Sequence, residues 1–163
     1  MVQIIIALSL PRDEQTIPVS RHIAANAMAE IGVTEDGVGD IAVALTEACT
    51  NVMKHSGPGD EFEVSLEVDD DQCVIRVVDT GRGFDAAALG FGHADASAEQ
   101  GRGIELIRAL VDQVKFISKP EAGTIVHLAK TLDFEDGSFG GPRAPDADGL
   151  GAAPEPAGQT ARR

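Results

Sequence analysis

The chain has 163 residues, enough for one hydrophobic core with an appendage and too few for two packed domains. It contains no Trp or Tyr, so the core has to come from Ile, Val, Leu, Ala and six Phe, and aromatic platforms for single-stranded nucleic acid are scarce. A net charge of -14 is repelled by phosphate backbones and anionic membranes, which argues against nucleic acid or a membrane as a direct partner.

The opening MVQIIIALSL lacks a basic leading segment, and Arg12, Asp13 and Glu14 follow its short apolar run at once, so it reads as a strand rather than a signal sequence. A first helix is expected from near Pro18 to Glu30, with Ile23, Ala24, Ala27 and Ile31 at helical spacing and Gly32 ending it. A second helix is expected from about Val38 to His55, stopped by the turn SGPGD at residues 56–60. Next, Phe62, Val64, Leu66 and Val68 alternate with polar residues, and Val74, Ile75, Val77 and Val78 form a denser run. The two segments predict an antiparallel hairpin turning at Asp69–Gln72.

From Thr80 to Gln100 the chain is rich in Gly, Ala and Asp, with at most a short helical turn near Ala86–Leu89. A third helix follows from about Gly103 to Leu110, then strands at 114–118 and 123–132 joined by the turn KPEAG. This order predicts an α+β two-layer sandwich with a mixed, mostly antiparallel sheet and helices on one face. The expected domain spans residues 1–133. Residues 134–163 form an expected disordered tail, in which Gly, Ala and Pro supply 16 of 30 positions.

Cys49 and Cys73 fall in separate predicted elements without metal-ligand spacing, and read as two small buried thiols in a reduced compartment. No run approaches the roughly 18 apolar residues of a membrane span, so a soluble cytoplasmic protein is expected.

Three stretches carry candidate chemistry. On the second helix, Ile41, Leu45, Ala48 and Val52 fall within about 60° of one another, while Glu47 and Asn51 lie on a shoulder roughly 90 to 130° from that stripe. Taken alone, such a pair, with His55 behind it, reads as a solvated helix face. In VVDTGRGFD, a strand ends at Asp79 and Gly81 and Gly83 allow a sharp turn close to a ligand, with the carboxylate held at the strand end to accept from an exocyclic amine. A lone GxG is weak, because the chain has six, at 37/39, 57/59, 81/83, 90/92, 101/103 and 149/151, and most read as turns. In GRGIELIRAL, Gly101 and Gly103 lead into a helix whose first amides suit a phosphate; by itself this reads more readily as a flexible loop closing onto a helix.

In this order the three stretches resemble the N-, G1 and G2 boxes of the GHKL ATP-binding superfamily, over about residues 5–132. The stretch IAVALTEACTNVMKHSG is most similar to bacterial anti-sigma factors that act as serine protein kinases. The resemblance implies ATP and Mg²⁺ as cofactors, with Asn51 as metal ligand and Glu47 as the group that orients or deprotonates the attacking hydroxyl. It assigns Asp79 to the adenine amine, Gly81 and Gly83 to the adenine pocket, and Thr124 to a hydroxyl supporting Asp79. It also makes residues from about Gly90 to Gly103 an ATP lid, with Gly101 and Gly103 giving amides to the phosphates.

Arg102 stands where the family usually has an apolar residue; it is either a phosphate-binding cation or merely exposed. The implied partners are a sigma factor and an anti-sigma factor antagonist, and a homodimer is compatible with the resemblance. Retention of Glu47 points to a kinase; a non-catalytic ATP-binding switch is the alternative. A histidine-kinase module would need a helix pair carrying a phospho-acceptor, for which the chain has no room before residue 38.

Overall fold

A computed structural model describes residues 3–55, 61–79, 98–119 and 123–138. The elements run β1 (Gln3–Pro11), α1 (Thr16–Glu30), α2 (Glu35–His55), β2 (Glu61–Asp69), β3 (Gln72–Asp79), α3 (Ala98–Leu110), β4 (Gln113–Lys119) and β5 (Gly123–Thr131). The five strands form one sheet in the order β1-β2-β3-β5-β4, and all four pairings are antiparallel. The three helices cover one face, with α2 between α1 and α3 and lying against β3 and β5.

Side-chain alternation decides which face is covered. Phe62, Val64, Leu66 and Val68 of β2, Cys73, Ile75 and Val77 of β3, and Val126 and Leu128 of β5 all point into the core. Ile41, Leu45, Ala48 and Val52 of α2 meet them, each fully buried, as the predicted stripe requires. On the other face, register lines up Ser65, Arg76, His127 and Lys115 in one row. Ile5 of the edge strand β1 is 65% exposed on that same face. Among the described residues, no helix is long and apolar enough to cross a membrane.

The helices start earlier than the sequence reading expects. Helix α1 begins at Thr16, which leaves Pro18 in the first turn, where its missing N–H is not needed. Gly32, at φ +88°, follows the C-cap Ile31 and ends the helix in the left-handed conformation that glycine adopts most readily. Helix α2 begins at Glu35 because Thr34 Oγ1 accepts the Gly37 N–H at 3.3 Å, and Glu35 and Asp36 place negative charge in the first turn. Gly37 and Gly39 therefore belong to a helix, not to a turn.

The β2–β3 hairpin turns through Asp70 and Asp71, with Asp70 at φ +51°, a conformation Asp tolerates better than most residues. Residues just after the expected boundary at 133 also touch the fold. Phe134 bridges Val33, the Glu135 N–H donates to Gly32 O at 2.8 Å, and the Thr34 N–H donates to Asp133 O at 2.9 Å, so the chain to Ser138 packs on the α1–α2 connection. The expected turns at 56–60 and 120–122, the short helical turn at 86–89 and the tail from 139 lie outside the described residues.

Candidate functional site

Helix α2 carries two functions on one cylinder. Its buried stripe holds it on the sheet, and that anchoring turns Glu47 and Asn51 toward α3. The meeting point is Gly103: a Cβ there would lie 2.7 Å from Glu47 Oε2 and 3.7 and 3.8 Å from the Asn51 amide atoms. A residue without a side chain lets α3 come this close to both groups without displacing the Glu47 carboxylate. Asn51 is 7% exposed and its Nδ2 has no hydrogen-bond partner among the described residues, a costly arrangement inside a protein that a polar ligand would relieve.

Asp79 ends β3 with no exposure to water, and the β3–β5 register sets it opposite Thr124, also fully buried. A charge in such a place requires a partner. It has one in Arg12, immediately after β1: Arg12 Nη1 lies 3.5 Å from Asp79 Oδ2, and Nη2 donates to Met53 O of α2 at 2.9 Å. Arg12 thus ties the carboxylate to the last turns of α2, two residues beyond Asn51. Sequence reasoning missed this role, since Arg12 bears no local signal and meets Asp79 only through tertiary folding.

Helix α3 differs from expectation. It begins at Ala98, so Gly101 and Gly103 lie inside it rather than ahead of it. Gly103 is also the point of close approach to Glu47 and Asn51. Arg102 is exposed on α3. At its other end α3 is held fast: Lys130 Nζ donates to Leu110 O at 2.8 Å and pairs with Asp40 Oδ2 of α2 at 3.0 Å. Gly81, Gly83, Arg82 and the expected lid as far as residue 97 lie outside the described residues, as does the His55 side chain.

Other candidates are excluded from the chemistry. Burial pushes the thiols of Cys49 and Cys73 up to about 12, leaving both protonated and inert. A groove of about 370 Å³ between α1 and α2 is lined by Ile17, Arg21, Thr50 and Met53 among others, and by none of Glu47, Asn51 and Asp79.

Residues 10–130 match the histidine kinase-like ATPase domain. The chain is 30% identical to the serine-protein kinase RsbW of Halalkalibacterium halodurans over 140 residues, covering 80% of this chain and 85% of that protein. It is 27% identical to RsbW of Bacillus subtilis over 141 residues, covering 80% and 87%. The solved RsbU and RsbW domains of a Mycobacterium tuberculosis protein superpose with a TM-score of 0.61 at 20% identity, over 79% of this chain and 32% of that one, which shows the shared fold. The chain belongs to the histidine kinase-like ATPase domain family.

Proposed function

We propose that the chain binds Mg·ATP where α2, α3 and the end of β3 meet, and transfers the γ-phosphoryl group to a Ser or Thr of an anti-sigma factor antagonist. In its unengaged state it sequesters a sigma factor. The observation that carries the reading is the joint presentation of Glu47 and Asn51 to the bare backbone of Gly103, on a helix tied through Arg12 to the buried Asp79. The names of the RsbW relatives support the kinase activity, and the sigma-factor and antagonist partners follow from the family resemblance.

The donor set fits the ligand. Among the described residues the buried Asn51 Nδ2 has no partner and is available to donate to a phosphate oxygen, and Gly103 leaves space that a side chain would fill. Asn51 would hold Mg²⁺ through its amide oxygen; a hard cation of this kind, sharing its shell with phosphate oxygens and water, neutralises charge on the transferring group. Asp79 accepts from the adenine amine, with the Thr124 hydroxyl beside it on β5. Glu47 accepts the proton of the attacking hydroxyl as the new oxygen–phosphorus bond forms and the bond to the leaving ADP breaks. Gly81 and Gly83 shape the base pocket, Gly101 and Arg102 belong to the phosphate side, and the segment ahead of α3 acts as the lid. A cytoplasmic location and a homodimer belong to the same reading.

Two measurements test it. Calorimetry with Mg·ATP should show binding by the wild type and loss of binding by Asp79→Asn; no binding by the wild type would sink the proposal. Glu47→Ala should bind Mg·ATP normally and lose phosphoryl transfer to the antagonist. Unchanged transfer would exclude Glu47 as the base, and binding without transfer in the wild type would make the protein a non-catalytic switch.

A further inference from the structure

Arg12 pairs with Asp79, and the geometry of the pair goes beyond a structural clamp. Strand β1 ends at Pro11, opposite Glu61, and Phe62 of β2 lies opposite Asp79 of β3. Arg12 therefore reaches past the end of β2 to meet the carboxylate from the β1 flank, while Thr124 stands on the β5 flank. Its second amino group is fixed on Met53 O at 2.9 Å, so the guanidinium has a defined position rather than a solvated one. Its side chain is 14% exposed and that of Asp79 is 0% exposed, which leaves little water to screen the charges.

We propose that Arg12 is a positioning residue that sets base specificity: its charge, fixed 3.5 Å from Asp79 Oδ2, holds that carboxylate in place as an acceptor, so that the site takes a purine with an exocyclic amine in preference to one with a carbonyl at that position. The proposal rests on the reading of Asp79 as the base-binding group. The chemistry is that of donor and acceptor matching. A carboxylate accepts hydrogen bonds, so it matches an exocyclic amine and offers nothing to a carbonyl opposite it. With the Arg12 charge removed the carboxylate loses part of its hold, and the amine loses an aligned acceptor that a carbonyl never had. The contact of 3.5 Å exceeds the length of a charge-assisted hydrogen bond, so Arg12 acts on Oδ2 by charge more than by direct bonding.

The test compares Mg·ATP with Mg·ITP, which carries a carbonyl in place of the adenine amine, by calorimetry on the wild type, Arg12→Gln and Arg12→Lys, each checked by thermal melting. Gln can still donate to Met53 O but carries no charge; Lys keeps the charge and loses the planar fork. The wild type is expected to favour ATP by roughly 100-fold, the value of one hydrogen bond to a charged group. Arg12→Gln should weaken ATP binding by about 10-fold or more and compress the ATP-to-ITP ratio toward unity, while Arg12→Lys retains most of that ratio.

A purely structural Arg12 would lower both affinities by the same factor in Arg12→Gln, and that result overturns the proposal. So does tighter ATP binding by Arg12→Gln, which would make the guanidinium a plug that competes with the base. Equal compression of the ratio in Arg12→Lys and Arg12→Gln also overturns it. If Arg12→Gln does not fold, Arg12→Met takes its place as the uncharged variant: a ratio compressed in Arg12→Met and retained in Arg12→Lys supports the role, and any other outcome overturns it. Failure of the wild type to bind Mg·ATP is a separate outcome that removes the nucleotide site itself.

Discussion

The seam where α2 lies on the sheet and the corner where Arg12, Asp79 and Thr124 meet are both sheltered from water, yet they are built from opposite materials. Ile41, Leu45, Ala48 and Val52 are all fully buried and wholly apolar, and each adds to stability. Asp79 and Thr124 are equally buried and polar, and Asp79 needs Arg12 to be tolerated there. The seam has a reason in folding alone. The corner has none of that kind, since replacing a buried ion pair by packed apolar groups is often neutral or stabilising. A polar corner beside an apolar seam, with no gain in folding to account for it, is what the proposed nucleotide site requires.

Substitutions can break this contrast, and the largest effect should come from the seam. Leu45→Ala removes a fully buried side chain and should destabilise the fold by about 2–5 kcal/mol in urea unfolding, with loss of nucleotide binding only as the protein unfolds. In the corner, Asp79→Asn should weaken ATP binding by roughly 30-fold or more, the equivalent of about 2 kcal/mol, while a cooperative melt is retained. If the same variant bound ATP normally, the corner would be structural after all.

A third substitution separates stability from function on one residue. Gly103→Ala places a methyl group 2.7 Å from Glu47 Oε2, whose flexible end can swing aside, and it also adds helix propensity inside α3. The expected outcome is a stability equal to the wild type or up to about 1 kcal/mol higher, together with slower phosphoryl transfer. A slower and less stable variant would mean that α3 itself had been pushed away.

The smallest effect lies outside both regions, on the open face of the sheet. Burial, with Arg76 and Lys115 nearby, lowers the His127 pKa below its ordinary 6.5. The unfolded chain then binds more protons than the folded one below that value, so stability should fall as pH drops through about 6.5 toward the folded value. In His127→Gln this component of the pH dependence should disappear from urea midpoints measured between about pH 7 and pH 5.

Much of the architecture was legible because it follows from local periodicity. The alternation Phe62, Val64, Leu66, Val68 announced a half-buried strand, and the stripe on α2 announced its buried face. The helix starts were less legible, since capping depends on geometry: Thr34 begins α2 through one side-chain hydrogen bond, and Pro18 lies inside the first turn of α1. Gly101 and Gly103 read as a loop leading into a helix, because glycine disfavours helices, yet the close packing of α3 on α2 outweighs about 1 kcal/mol of propensity per glycine.

By itself the sequence determined the alternating strands, the seam of α2 and the ordered series Glu47, Asn51, Asp79 and Gly103, because each is written in spacing along a few turns or one strand. Only the tertiary structure decided that Gly103 faces Glu47 and Asn51, that Thr124 stands opposite Asp79, and that Arg12 is the charge partner of Asp79. The physical reason is that strand register and helix packing join residues far apart in the chain, and a buried charge selects its partner by proximity in space.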